Sequence, residues 1–142
     1  MLQLFKKISI QTDGQQLIDI TSKVNNFIYK ECLYNGILNI SILHTSASLL
    51  IQENADPTVL KDIEFFFNRL VPMNRTYQHS SEGIDDMPAH IKSALTNSNI
   101  TISIRDRNLV IGTWQAIYLY EHRIKAHLRK LALHFIGDAQ NK

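Results

Sequence analysis

The chain has 142 residues, 44% of them hydrophobic, with 15 basic and 13 acidic side chains and a formal net charge of +2. That length buries one core and not two, so a single domain over residues 1–142 is expected, and the even mixing of charge argues against nucleic acid as a partner. One cysteine cannot close an internal disulfide, the N-terminus lacks the order of a signal peptide, and no apolar run approaches the roughly 20 residues of a membrane helix; a soluble, cytoplasmic protein without a membrane partner is expected.

Leu4, Ile8 and Ile10 share one parity and predict a strand, which the Asp13-Gly14 turn signal separates from a second short strand, Gln16 to Ile20. Thr21 or Ser22 can cap a helix carrying Val24, Phe27, Ile28 and Cys32 on one apolar stripe and ending before Gly36; Cys32 reads there as a small hydrophobe. Ile37 to Leu43 and Ala47 to Ile51 alternate as strands, with the polar triplet His44-Thr45-Ser46 marking a bend between them.

Asp56-Pro57 supplies a cap and a first-turn proline for a helix over Thr58 to Leu70, whose apolar set is Val59, Ile63, Phe66, Phe67 and Leu70. Met73 to Asp86 has no periodicity and reads as a loop. Pro88 then opens a short helix with Ile91 and Leu95 on its core side. Ile100 to Ile104, Leu109 to Ile111, Gln115 to Tyr120 and Lys130 to Ile136 are four further strand-like runs. Helices among hairpin-spaced strands predict an α+β fold with packed, mainly antiparallel sheets and flanking helices.

Seven of the 13 carboxylates lie between positions 53 and 90: Glu53, Asp56, Asp62, Glu64, Glu82, Asp85 and Asp86. Asp62 and Glu64 read as the solvated face of the long helix. His79, Glu82, Asp85, Asp86 and His90 fall within twelve residues, four of them in the loop. If the helix begins near Met87, Asp86 and His90 approach the i, i+4 relation in which a carboxylate orients an imidazole or both bind one metal. The alternative is that the two aspartates cap the helix and complement its dipole.

His44 and His122 each end a strand-like run, where a hydrogen-bonded structural role competes with a site role. No H-E-x-x-H, paired C-x-x-C, EF-hand, G-x-S-x-G or P-loop pattern is present. Any metal site is therefore assembled from distant segments, and imidazoles with carboxylates suit zinc or a similar divalent ion. Trp114 reads equally as pocket wall or core.

Four segments carry a resemblance. They are His44-Thr45-Ser46 leading to Ile51-Gln52-Glu53-Asn54-Ala55-Asp56-Pro57; Tyr77 with His79; Glu82 through Lys92; and Gly112-Thr113-Trp114-Gln115 through Glu121-His122-Arg123. In order and spacing they resemble the YjbQ-like family. The match spans essentially the whole chain, with Ala116 and Tyr120 as its small departures.

The resemblance implies a homotrimer with a pocket near the subunit interfaces, and similarity to a secondary thiamine-phosphate synthase, a transferase joining a pyrimidine methyl diphosphate to a thiazole phosphate. Carried onto this chain, the catalytic candidates are His44, Glu82, Asp86, His90, Glu121 and His122. The substrate-binding candidates are Glu53, Asp56, His79, Lys92, Trp114, Gln115 and Arg123. A divalent metal, zinc or magnesium, would draw on His44, His90, His122, Asp85 and Asp86. Lys92 and Arg123 are the basic residues of the matching blocks, few for a diphosphate. Two other readings stay open: a metal-dependent hydrolase of a small metabolite, and a non-catalytic trimeric protein binding a small phosphorylated or heterocyclic metabolite.

Overall fold

The structure, a computed structural model, describes residues 1–140. Its elements run β1 (Leu2–Gln11), β2 (Gln16–Asp19), α1 (Thr21–Lys30), β3 (Leu33–Ile42), β4 (Ala47–Glu53), α2 (Pro57–Leu70), α3 (Asp86–Leu95), β5 (Asn99–Arg105), β6 (Asn108–Leu109), β7 (Gln115–Glu121) and β8 (Leu128–Ala139). Every strand pairing is antiparallel. One sheet has the order β1-β8-β3-β5-β6 and the other β2-β7-β4. The chain is thus α+β, as its pattern of elements predicts.

Alternation decides which side chains join the two sheets. Leu131, Leu133 and Phe135 of β8 are fully buried and share one apolar cluster with Leu49, Ile117 and Leu119 of the smaller sheet and Val24, Phe27 and Ile28 of α1. At roughly 2 kcal/mol per fully buried side chain, this cluster is the main force holding the layers together. β3 ends in the larger sheet and β4 begins in the smaller one, so His44-Thr45-Ser46 carries the chain from sheet to sheet. Gly36 and Gly137 stand opposite each other across β3 and β8. A Cβ on Gly36 would lie 2.7 Å from Phe135 Cε2 and 2.8 Å from Gly137 Cα, so only hydrogen fits there.

Three expectations change. The first helix ends before Gly36, but at Lys30 and so short of Cys32, because Leu33 already pairs with Ala139 of β8; Cys32 lies beyond the helix, half-buried, at a φ of 53°. Its cap is neither Thr21 nor Ser22: Asp19 Oδ1 accepts the Thr21 N–H, while Thr21 Oγ1 accepts the Ile117 N–H from β7. On α3 the buried face is Asp86, Pro88, Ala89 and Lys92, whereas Leu95 is exposed. The polar groups go inward because they meet partners there.

Asp56 caps α2 as expected, accepting the Thr58 N–H at 2.9 Å, with Pro57 in the first turn. Yet α2 buries none of its side chains, and Phe65, Phe66 and Leu70 are 62%, 58% and 50% exposed. Its apolar stripe identifies the helix, but only Phe67 meets an aromatic of the sheets, edge-on to Tyr120. No helix among the described residues is long and apolar enough to cross a membrane.

Candidate metal centre

The loop before α3 and the first turn of α3 converge on one carboxylate. Asp86 is 3% exposed; its Oδ2 lies 2.7 Å from His79 Nε2 and 3.2 Å from His90 Nε2, and its Oδ1 accepts from Arg123 Nη1 at 2.6 Å. Glu82 Oε2 stands 3.2 Å from His79 Nε2. One donor atom each from His79, Glu82, Asp86 and His90 lies within 4.8 Å of all the others. The helical i, i+4 spacing places Asp86 and His90 together, and the loop folds His79 back over them.

His90 shows what this arrangement favours. Its Nδ1 lies 3.0 Å from the Thr45 carbonyl, which can only accept, so Nδ1 carries the proton. On the other side of the ring, Nε2 faces Asp86 Oδ2 at 3.2 Å. A cation placed there would draw on both groups, and the Thr45 contact would be the outer-shell hydrogen bond that orients the ring. Two imidazoles and two carboxylates suit a borderline divalent ion.

Arg123 fastens the loop. From the turn after β7 it donates to Asp85 Oδ2 at 3.0 Å, to Asp86 Oδ1 and to the Glu82 carbonyl at 2.9 Å. Burial alone would raise the Asp85 carboxyl, but the Ile124 amide and the Arg123 guanidinium hold it below its ordinary value. Burial likewise opposes ionisation of Asp86, and the hydrogen bond from His79 with the charge of Arg123 prevails. The bond to Asp86 in turn raises His79 above the usual imidazole range. Asp85 occupies the N-cap position of α3 without a side-chain cap bond, so it serves Arg123 and Ile124 instead of the helix end.

His44 and His122 are not brought to this cluster. His44 Nε2 accepts the Lys130 N–H at 2.8 Å, and burial followed by the Arg129 charge lowers its pKa. His122 is 1% exposed, with Nε2 on Ser48 Oγ at 2.8 Å and Nδ1 lacking a partner among the described residues. Burial, then the charges of Lys92 and Arg129, push it down to about 3.

A histidine buried neutral contributes stability that is full above its unfolded pKa near 6.5 and is lost as pH falls toward the folded value. Between pH 6.5 and 5 this group alone should lower the unfolding free energy by about 1–2 kcal/mol. Urea melts at the two pH values should show a smaller loss for His122→Gln than for the wild type. An equal loss would remove His122 as the cause.

Beside His122, Glu121 is fully buried, accepting from Thr12 Oγ1 at 2.6 Å and from Arg129 Nε at 2.8 Å and Nη2. Lys92 is 2% exposed, donates to Asn68 Oδ1 at 2.6 Å, and has its pKa lowered by burial. With Glu64, Asn68, Tyr120 and Glu121 it lines a cavity of about 70 Å³, so Glu64 is half-buried and not on a wholly solvated face.

The remaining candidates lie apart. Asp56 is a helix cap, Glu53 ends β4 half-buried, Trp114 is 63% exposed and so not core, and Gln115 Oε1 accepts the Gly112 N–H at 2.6 Å. Arg129 was missed from sequence. Its parity with Leu131, Leu133 and Phe135 was the available signal, since it puts an arginine on an inward position.

The model of the UPF0047 protein YjbQ-like family matches residues 6–138. The UPF0047 protein sll1880 of Synechocystis is 46% identical over 130 residues, 91% of this chain and 88% of that one. The UPF0047 protein YjbQ of Salmonella typhimurium is 43% identical, covering 84% and 85% of the two chains. A crystal structure of a conserved YjbQ/UPF0047 protein from Clostridium acetobutylicum superposes with a TM-score of 0.85 at 32% identity, over 92% of this chain and 99% of that one. With the matched segments carrying the His79-Glu82-Asp86-His90 cluster and its arginine clamp, this chain belongs to the YjbQ-like UPF0047 family.

Proposed function

We propose that the protein is a divalent-metal-dependent enzyme hydrolysing a bond in a small, phosphorylated heterocyclic metabolite. His79, Asp86 and His90 hold the ion, and Glu82 stands at its open side. One observation carries the reading: candidate ligand atoms from a single loop and helix turn converge within 4.8 Å, with His90 Nδ1 held 3.0 Å from the Thr45 carbonyl. Mixed nitrogen and oxygen donors favour zinc over magnesium, which prefers oxygen ligands and retained water. A bound ion would supply Lewis acidity, lowering the pKa of water or polarising a substrate oxygen. Glu82, with its side chain 64% exposed, is the carboxylate free to take up the proton, while Asp86 and the imidazoles stay fixed.

The thiamine-phosphate synthase reading, which the resemblance implies, ranks second. It is favoured by Arg123 beside the centre, but Arg123 is committed to Asp85 and Asp86, and Lys92 to Asn68. A diphosphate leaving group would depend on metal for its charge. The uncovered apolar face of α2 supports assembly into the homotrimer that the resemblance also implies.

Protein purified without added metal or affinity tag should carry near-stoichiometric zinc-class metal. Turnover, assayed on a panel of phosphorylated heterocycles and on the pyrimidine diphosphate and thiazole phosphate pair, should vanish on chelation and return with the ion. No metal before or after titration would sink the reading. Saturable binding without turnover would favour the non-catalytic binding protein.

A further inference from the structure

Between α2 and α3 the chain runs from residue 71 to 85 without helix or strand, the kind of long loop that functional sites use. Its side chains line an open cavity of about 200 Å³ that shares His79 with the candidate metal-ligand cluster. Met73, Arg75, Thr76, Tyr77 and Ile84 form most of the remaining wall.

Arg75 differs from the other arginines near the centre. Arg123 and Arg129 are spent on buried carboxylates, whereas Arg75 makes no side-chain hydrogen bond or ion pair among the described residues. Its planar guanidinium suits the paired oxygens of a phosphate. The apolar wall is equally uncommitted: Ile84 is 70% exposed, and Tyr77 gives its hydroxyl to the Pro72 carbonyl at 2.8 Å, so what it offers a ligand is its ring. A space of this size takes roughly one substituted ring, less than the 300 Å³ and upward of larger ligand sites.

We propose that this cavity is the substrate subsite of the metal centre, taking a phosphate ester of a single small ring, with the phosphate on Arg75 and the ring between Tyr77 and Ile84. The inference rests on the metal-centre reading and adds to it the substrate class and the residue that holds the phosphate.

Phenyl phosphate and inorganic phosphate, titrated calorimetrically into the intact metal-loaded protein, test this. Phenyl phosphate should bind more tightly than inorganic phosphate, and Arg75→Gln should weaken it about tenfold or more. Arg75→Lys should recover part of the loss. Ile84→Ser should weaken phenyl phosphate and leave inorganic phosphate unchanged. Equal affinity of the wild type for both probes, or an Arg75→Gln protein that binds phenyl phosphate as well as the wild type, would overturn the proposal. Metal content measured on each sample separates the two ideas: metal present with Arg75-independent binding defeats the subsite alone, and Arg75-dependent binding to a protein that takes up no metal defeats the metal centre alone.

Discussion

Methionine in place of Arg129 is expected to cost about 3–5 kcal/mol of unfolding stability, the cost of stranding one partner of a buried ion pair. Arg129 is 3% exposed and Glu121 fully buried, and the guanidinium supplies two of the hydrogen bonds that satisfy the Glu121 carboxylate. It also donates to the Ser46 carbonyl at 3.2 Å, in the segment where the chain changes sheets. Methionine fills comparable space but leaves Glu121 with Thr12 and the Arg123 amide as donors. Replacing Glu121 by methionine as well should recover most of the loss, because both charges then leave the interior together. Urea unfolding of the single and double variants decides it; a loss below about 1 kcal/mol for Arg129→Met would show that the pair is not a structural keystone.

Asp86→Asn is expected to lower affinity for a zinc-class ion on the order of 100-fold, at the upper end of what disturbing a ligand environment costs. Aspartate uses one oxygen for both imidazoles and the other for Arg123. An amide has a single acceptor oxygen, so it must abandon either the imidazoles or the guanidinium clamp. The same substitution removes the hydrogen bond that raises His79, whose pKa should fall back toward the ordinary imidazole value. Competition against a chromophoric chelator measures the first effect and a proton NMR titration of His79 the second. Unaltered ion affinity would exclude Asp86 as a ligand.

The local features of the fold are legible in the residues. Alternation marks β8 through Leu131, Leu133 and Phe135, and the Asp56-Pro57 pair opens α2 where the structure has it. Errors arise where distant partners intervene. The first helix stops early because β3 pairs with β8 from Leu33 onward, and no short-range rule anticipates a contact across more than a hundred residues. On α3, hydrophobicity favours Ile91 and Leu95 as the core side, yet Asp86 and Lys92 go inward because Arg123 and Asn68 receive them there. Burial of a charge depends on its partner, and the partner is a tertiary fact.

The same division holds for the site. The sequence alone determined the density of ligand-type residues from His79 to His90 and the i, i+4 relation of Asp86 to His90, since both are local. It also determined the family, whose spaced segments are a linear property of the chain. Only the tertiary structure decided that His44 and His122 stand outside the cluster, each held by its own hydrogen bond, and that Glu121 belongs to a buried ion pair with Arg129. It decided, too, that His90 Nδ1 meets the carbonyl of Thr45, a residue 45 positions away. Hydrogen-bond partners and desolvation set what an imidazole or a carboxylate can do, and both are supplied by segments that meet only when the sheets close.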